Sequence, residues 1–286
     1  PVERPPKVFR LSGDASLAPG RAQIAVFTSG GTAHVHSVDG GPAVRLAPTD
    51  WVSGAYTQSL SMDGTRVIRQ SYNWRLEIVN LSSGQTNRLG RFRGYCPRLS
   101  PDGRTVLVIH SRTLRLTFLD ARSGDRLPGG RAPFGDGQGC PSLAWSPDGK
   151  LIVISYQGET LVLDDRGRTV QRTMPDRSPV NGHMSWAPDG QSILMYHQPS
   201  GRFVVARLDG EPESVLEPPQ DLSRPLGWAG TRIVWLVGPP GDQRLVTTDR
   251  TGADPRPWMR LDIGDEPVDS VQWSRALTGW AADSQP

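Results

Sequence analysis

The sequence predicts an all-β fold: a seven-bladed β-propeller of four-stranded antiparallel blades, with a six-bladed ring as the alternative. Three observations predict it. The 32 glycines and 26 prolines alternate with short apolar runs, which is typical of many short strands joined by tight turns. A turn motif recurs about every 40 to 45 residues, the repeat length of propeller blades. Each strong copy precedes a β-rich run, such as residues 106–109.

The recurring motif reads Ser-Pro-Asp-Gly in its strongest copies. Pro fixes φ early in the turn, Asp accepts hydrogen bonds from turn amides, and Gly adopts the positive φ that closes the hairpin. Strong and weak copies together mark seven blade starts, at residues 17–20, 60–64, 99–103, 145–149, 186–190, 228–230 and 273–275. The indole rings that precede four of them are expected to pack between blades: Trp145, Trp186, Trp228 and Trp273.

Closure of the ring is the least determined part of this prediction. The seventh blade has only two expected strands, at residues 270–274 and 276–282. Residues 7–11 would complete it, but only by parallel pairing; otherwise the seventh blade is incomplete. We therefore expect a linker over residues 1–6 and a single propeller domain over residues 7–286.

The Ser-Pro-Asp-Gly turns, each followed by a β-rich run, resemble the TolB-type propeller repeats, a WD-like family, over about residues 16–282. The resemblance implies a propeller that usually has six blades and usually serves as an extracytoplasmic binding module. Related repeats also form the gating domain of prolyl oligopeptidases. The motif identifies the fold but gives almost no information about function.

Charge and composition narrow the possible partners. The net charge is +3, and Lys7 and Lys150 are the only lysines, a bias typical of GC-rich genomes and hence of a bacterial source. The arginines are scattered, so we expect no nucleic-acid binding; the densest group, Arg88, Arg91, Arg93 and Arg98, is expected to be a solvated turn. No apolar run is long enough to span a membrane. Because the chain begins at Pro1, we expect a membrane tether only through a segment that it lacks.

No catalytic motif stands out in the sequence. It contains no Gly-x-Ser-x-Gly, His-Glu-x-x-His, Cys-x-x-Cys or phosphate-loop pattern. We therefore expect a monomeric binding protein without cofactor or metal, rather than an enzyme. A hydrolase or lyase with its site in the central channel stays open as the alternative, because such a site would combine residues from several blades.

The candidate binding residues precede the first strands of the blades, where those strands enter the channel. They are Asp14, Tyr56, Tyr95, His183, Arg224 and Asp269. Together they would form a polar surface suited to a protein, peptide or cell-envelope ligand; the alternative is that they are ordinary loop residues. We expect this protein outside the cytoplasm, at the cell surface or secreted, with a cytoplasmic scaffold as the alternative.

A disulfide between Cys96 and Cys140 is the first testable prediction. Each cysteine precedes a proline and lies just before the first strand of one of two neighbouring blades. A bridge needs Cα atoms within about 7 Å, which adjacent loops satisfy. The even cysteine count fits an oxidising compartment, and the bridge would stabilise by about 2–4 kcal/mol. Thiol titration of unreduced, denatured protein should find no free thiol. Two free thiols, as in unrelated buried cysteines, would contradict the bridge and the oxidising location.

Overall fold

The protein is built from short antiparallel strands. The computed structural model describes residues 23–28, 33–37, 44–46, 58–61, 64–70, 74–81, 83–110, 112–131, 133–135, 137, 141–157, 159–173, 184–197, 202–208, 212–219, 224–239, 242, 244–260 and 268–273. These residues form the strands β1 (Gln23–Thr28), β2 (Ala33–Ser37), β3 (Val44–Leu46), β4 (Gln58–Leu60), β5 (Arg66–Gln70), β6 (Arg75–Asn80), β7 (Thr86–Arg91), β8 (Gly94–Leu99), β9 (Thr105–His110), β10 (Leu116–Asp120), β11 (Ser142–Trp145), β12 (Leu151–Tyr156), β13 (Glu159–Asp164), β14 (Thr169–Thr173), β15 (Ser185–Trp186), β16 (Ser192–His197), β17 (Arg202–Arg207), β18 (Pro212–Val215), β19 (Arg224–Ala229), β20 (Arg232–Val237), β21 (Arg244–Thr248), β22 (Arg256–Arg260) and β23 (Val268–Trp273).

The strands form a β-propeller, but the predicted blade count is wrong. The described residues contain five four-stranded blades, with strand orders β23-β1-β2-β3, β4-β5-β6-β7, β11-β12-β13-β14, β15-β16-β17-β18 and β19-β20-β21-β22, and one three-stranded sheet, β8-β9-β10. Neither seven nor six four-stranded blades are present in this part of the chain.

The seven motif copies overstate the count because the two ends of the chain share one blade. Strand β23 is the inner strand of the first blade and pairs antiparallel with β1, with Ala25 opposite Gln272. The expected parallel closure by residues 7–11 lies outside the described residues, as does the motif copy at residues 17–20. Antiparallel closure thus replaces the separate seventh blade that the sequence suggested.

The three-stranded sheet lacks a regular fourth strand because of residues 127–131. Leu127 donates to the carbonyl of Phe118, and the carbonyl of Arg131 accepts from Leu116, so this segment still follows the edge of β10. Between them lie a proline, which has no N–H, and Gly129 and Gly130, at φ 113° and 84°. This combination interrupts the ladder.

The Ser-Pro-Asp-Gly turns after β8 and β11 have the geometry that the motif predicts. The Ser100 hydroxyl accepts from the N–H of Thr105 at 2.9 Å and donates to Asp102 at 2.6 Å. The Ser146 hydroxyl makes the equivalent bonds to Leu151 and Asp148, at 2.9 and 2.7 Å. Both serines are buried. The hydroxyl therefore satisfies buried backbone and holds the aspartate in place.

Neighbouring blades are joined by the turns between their third and fourth strands. Asn87 in β7 donates to the carbonyl of Arg122 in the next sheet at 2.8 Å. Gln171 in β14 donates to Leu208 at 2.8 Å, and Ser214 in β18 donates to the Arg250 carbonyl at 3.0 Å. The same side-chain-to-turn contact thus recurs between successive sheets.

Apolar layers fill the spaces between sheets. One layer joins Ile68 and Leu76 to Leu99 and Val106 of the following sheet, and similar layers lie between later sheets. The predicted core role of the indoles is confirmed for Trp186 and Trp228, which are 5% and 2% exposed. Trp145 is only partly buried. The backbone of Trp273 lies in β23.

The joint between blades can be tested at Gly124. Its φ is 78°, and an added Cβ would lie directly against the carbonyl oxygen of Leu89 in the preceding blade. Gly84 has the equivalent turn position, with φ 68° and nothing within 4 Å of an added Cβ. Gly84→Ala should cost about 1–2 kcal/mol of unfolding free energy through φ strain alone.

Gly124→Ala should cost a further 1–3 kcal/mol or so, because the blades must move apart. Denaturant unfolding of both variants measures the difference directly. Equal losses at the two glycines would mean that the close approach of turn to blade does not hold the ring together.

Candidate functional site at the channel entrance

The two ends of the propeller can be defined by the direction of its inner strands. Inner strands β15, β19, β23, β4 and β8 contact one another in that order around the channel. In a propeller the inner strands run in the same direction. We call the end at which they begin the entrance end, and the end that holds the turns following them the turn end.

Three of the predicted binding residues lie on inner strands at the entrance end. Tyr95 is the second residue of β8, Arg224 the first residue of β19 and Asp269 the second residue of β23. Strands β19 and β23 are neighbours, and β4 lies between β23 and β8. Asp14, Tyr56 and His183 lie outside the described residues. Half of the predicted set is therefore brought to one end of the ring, in one sector of it.

A β-bulge interrupts each of these three inner strands near its start. The register of β8 slips between Tyr95 and Arg98, that of β19 between Pro225 and Gly227, and β23 has Asp269 as its extra residue opposite β1. Bulges redirect side chains and occur frequently beside binding sites. Strands β4 and β11 pair regularly with their neighbours.

Sequence reasoning did not identify these bulges, although a signal was present. Pro97 lies within β8 and Pro225 within β19, and proline inside a strand marks an edge or a bulge. Cys96, directly before Pro97, is fully buried and has φ 58°, a conformation that non-glycine residues rarely adopt. Its predicted partner Cys140 lies outside the described residues, so the disulfide stays a prediction.

Partly buried aromatic side chains lie at the entrance end of the β4–β7 blade and of the two sheets that follow it. Trp74 and Phe92 flank the outer strands of the β4–β7 blade, and Phe92 packs against the core. Phe134 contacts Tyr156, with ring centroids 5.8 Å apart, in the following blades. Aromatic residues are enriched at protein-binding surfaces.

At the turn end, carboxylates accept hydrogen bonds from residues of their own turns. The Ser146 hydroxyl is the main cause of a lowered pKa at Asp148, and desolvation opposes it. The Thr251 hydroxyl likewise lowers the pKa of Asp249, again against desolvation, with help from the N–H groups of Thr251 and Ala253. Such carboxylates are stabilised in the ionised form. These carboxylates thus stabilise the turns in which they lie.

The described residues contain no group of three or more His, Cys, Asp or Glu side chains placed to hold a metal ion. The part of the chain that the structure describes also has no helix with the length and hydropathy of a membrane span.

The comparisons with known proteins concern the fold. The sequence matches no protein-family model and no curated protein. The structure is similar to TolB from Acinetobacter baumannii, with TM-score 0.64 and 17% identity over 89% of this chain and 66% of that one. A putative TolB from Agrobacterium tumefaciens gives TM-score 0.55 and 18% identity over 88% of this chain and 98% of that one.

Dihydro-heme d1 dehydrogenase NirN, solved in complex with DHE, gives TM-score 0.51 and 18% identity over 92% of this chain and 56% of that one. This chain therefore spans less than two thirds of the A. baumannii protein and of the dehydrogenase. At these identities the similarity shows a TolB-like β-propeller fold. The predicted resemblance is confirmed at that level.

The lowered pKa values predict how stability depends on pH. Because the folded-state pKa of Asp148 and Asp249 is below the unfolded value of about 3.9, their ionised forms stabilise the fold above that value. This contribution is lost as the pH falls through the folded-state pKa. Asn keeps the hydrogen-bonding oxygen and removes the charge, so Asp148→Asn/Asp249→Asn should be less stable than wild type near pH 6.

The difference between the two proteins should shrink steadily below about pH 4. Urea unfolding from pH 6 to pH 2.5 measures it. A difference that stays constant over this range would show that the carboxylate charges do not stabilise these turns.

Proposed function

We propose that this chain is a β-propeller binding module that holds a protein or peptide partner at the entrance end. The observation that carries the proposal is the sector formed by β19, β23 and β8, in which three inner strands begin with a bulge. Those bulged starts bear Arg224, Asp269 and Tyr95. Partly buried aromatic side chains at the same end belong to the residue type that is enriched at protein interfaces.

The division between the two ends supports the same conclusion. Turn-end polar groups bond to one another and hold the blades together, so they offer little to a ligand. Loops at the entrance end connect one blade to the next, and in rigid all-β scaffolds binding residues are concentrated on such loops. A partner would therefore contact several blades at once.

We further propose that the protein works outside the cytoplasm. The resemblance of its repeats to TolB-type propellers supports this location, and the even cysteine count fits an oxidising compartment. A membrane tether preceding this chain stays a prediction from the sequence.

The proposal is tested by capturing partners from extracts of the native host. The triple variant Tyr95→Ala/Arg224→Ala/Asp269→Ala should lose partners that wild type retains, because all three changes lie in the proposed site. The matched control Arg122→Ala/Asp125→Ala alters exposed residues of the turn end and should retain them. Melting temperatures should confirm that both variants fold.

Retention of the same partners by the entrance variant, or their loss in the turn-end control alone, would contradict the proposed site. Turnover of a hydrolase or lyase substrate that the entrance variant abolishes would instead favour the enzymatic alternative.

A further inference from the structure

Exposed arginines are concentrated at the entrance end of two adjacent sheets, the β4–β7 blade and the β8–β10 sheet. Three of them lie on β6, at the end of β7 and just after β7. The other three lie between β9 and β10 and in the segment beside β10. They are Arg75, Arg91, Arg93, Arg112, Arg115 and Arg131, all exposed. We call these six residues the arginine rim.

The rim has no carboxylate partners among the residues that the structure describes. The nearby Glu77 is already shared between Arg69, at 3.6 Å, and Arg88, at 3.3 Å. By contrast, other described arginines are paired with carboxylates, as Arg168 is with Asp164 and Arg202 is with Glu217. Among the described residues, the rim is thus a cationic surface without paired carboxylates.

The pairing of β6 with β7 makes this charge costly. Arg75 lies directly opposite Arg91 in the ladder, and like charges at such positions destabilise a sheet. Arg93 follows two residues later on the same edge. A bound anion would relieve the repulsion between these guanidinium groups.

The turn end of the same two sheets is nearly balanced. Its described residues include four arginines and three aspartates, namely Arg66, Arg104, Arg122, Arg126, Asp102, Asp120 and Asp125. The positive charge is therefore one-sided and lies on the end proposed for binding. Such a field steers negatively charged partners to that end.

The surroundings of the rim favour a protein segment over other anions. Phe92 lies between Arg91 and Arg93 in sequence, and Phe134 lies three residues after Arg131. Aromatic side chains and arginine are the residue types enriched at protein interfaces. The described large apolar side chains that are exposed, Val170 and Val215, belong to other blades, so the rim lacks the apolar anchors that membrane binding uses.

We propose that the arginine rim recognises an acidic peptide segment of a protein partner. The proposal rests on the proposed function and adds the chemical class of the ligand. Planar guanidinium groups bind carboxylates through two parallel hydrogen bonds. Several closely spaced Glu or Asp residues, with an aromatic or apolar residue between them, fit a surface of this composition.

The test uses a fluorescent peptide of alternating Glu and Phe, and its Gln counterpart, with binding followed by anisotropy. Wild type should bind the Glu peptide, lose affinity as salt is raised, and fail to bind the Gln peptide. The variant R91E/R93E/R131E should bind at least about tenfold more weakly. The matched control R104E/R122E/R126E makes the same change in net charge at the turn end and should stay within about twofold.

Equal losses in the two variants, or equal binding of the Gln peptide, would overturn the proposal. So would rim-dependent binding of inorganic polyphosphate or of phosphatidylglycerol vesicles without binding of the Glu peptide. Those outcomes would assign the rim to phosphate or to a membrane surface.

The entrance variant Tyr95→Ala/Arg224→Ala/Asp269→Ala separates this proposal from the proposed function. Glu peptide binding that is lost in R91E/R93E/R131E but kept in the entrance variant would support the rim and show that the peptide does not need Tyr95, Arg224 or Asp269. A host partner that is lost in the entrance variant but bound normally by R91E/R93E/R131E would overturn the rim and leave the proposed function standing.

Discussion

Closure of the ring through β1 and β23 is the constraint on which the rest of the structure depends. Five antiparallel pairs join the two ends of the described chain, and β23 also contacts the inner strands β19 and β4. Without this strand the first blade would have an open inner edge and the channel would have a gap. With it, the described inner strands begin at one end of the ring, and the described turns that follow them lie at the other end.

This separation places the structural turns and the proposed binding surface at different ends. At the turn end, a buried hydroxyl donates to an aspartate, as Ser146 does to Asp148. A glycine there also lets a turn approach the neighbouring blade closely, as Gly124 does beside the Leu89 carbonyl. At the entrance end, β8 and β23 begin with bulges, and the arginine rim has no carboxylate partner among the described residues. The turn end thus helps to hold the ring together, and the proposed binding surface lies at the other end.

The sequence predicted what depends on local chemistry and failed where distant segments meet. The turns and strands followed from Pro, Asp and Gly at fixed spacing, and the core role of Trp186 followed from its place before the turn. The blade count failed because pairing of β23 with β1 is a long-range event that no local pattern reveals. The rim was missed because Arg91 and Arg93 were considered along the chain, whereas Arg112 and Arg131 join them only after folding.

The central claim is that ligand binding is confined to the entrance end. Amide hydrogen exchange of the wild-type protein, with and without the Glu–Phe peptide, tests it most directly. The account predicts slower exchange at residues 91–96 and 112–116, and unchanged exchange at residues 100–105 and 120–126 of the same sheets. Protection at the turn end, or equal protection at both ends, would contradict it.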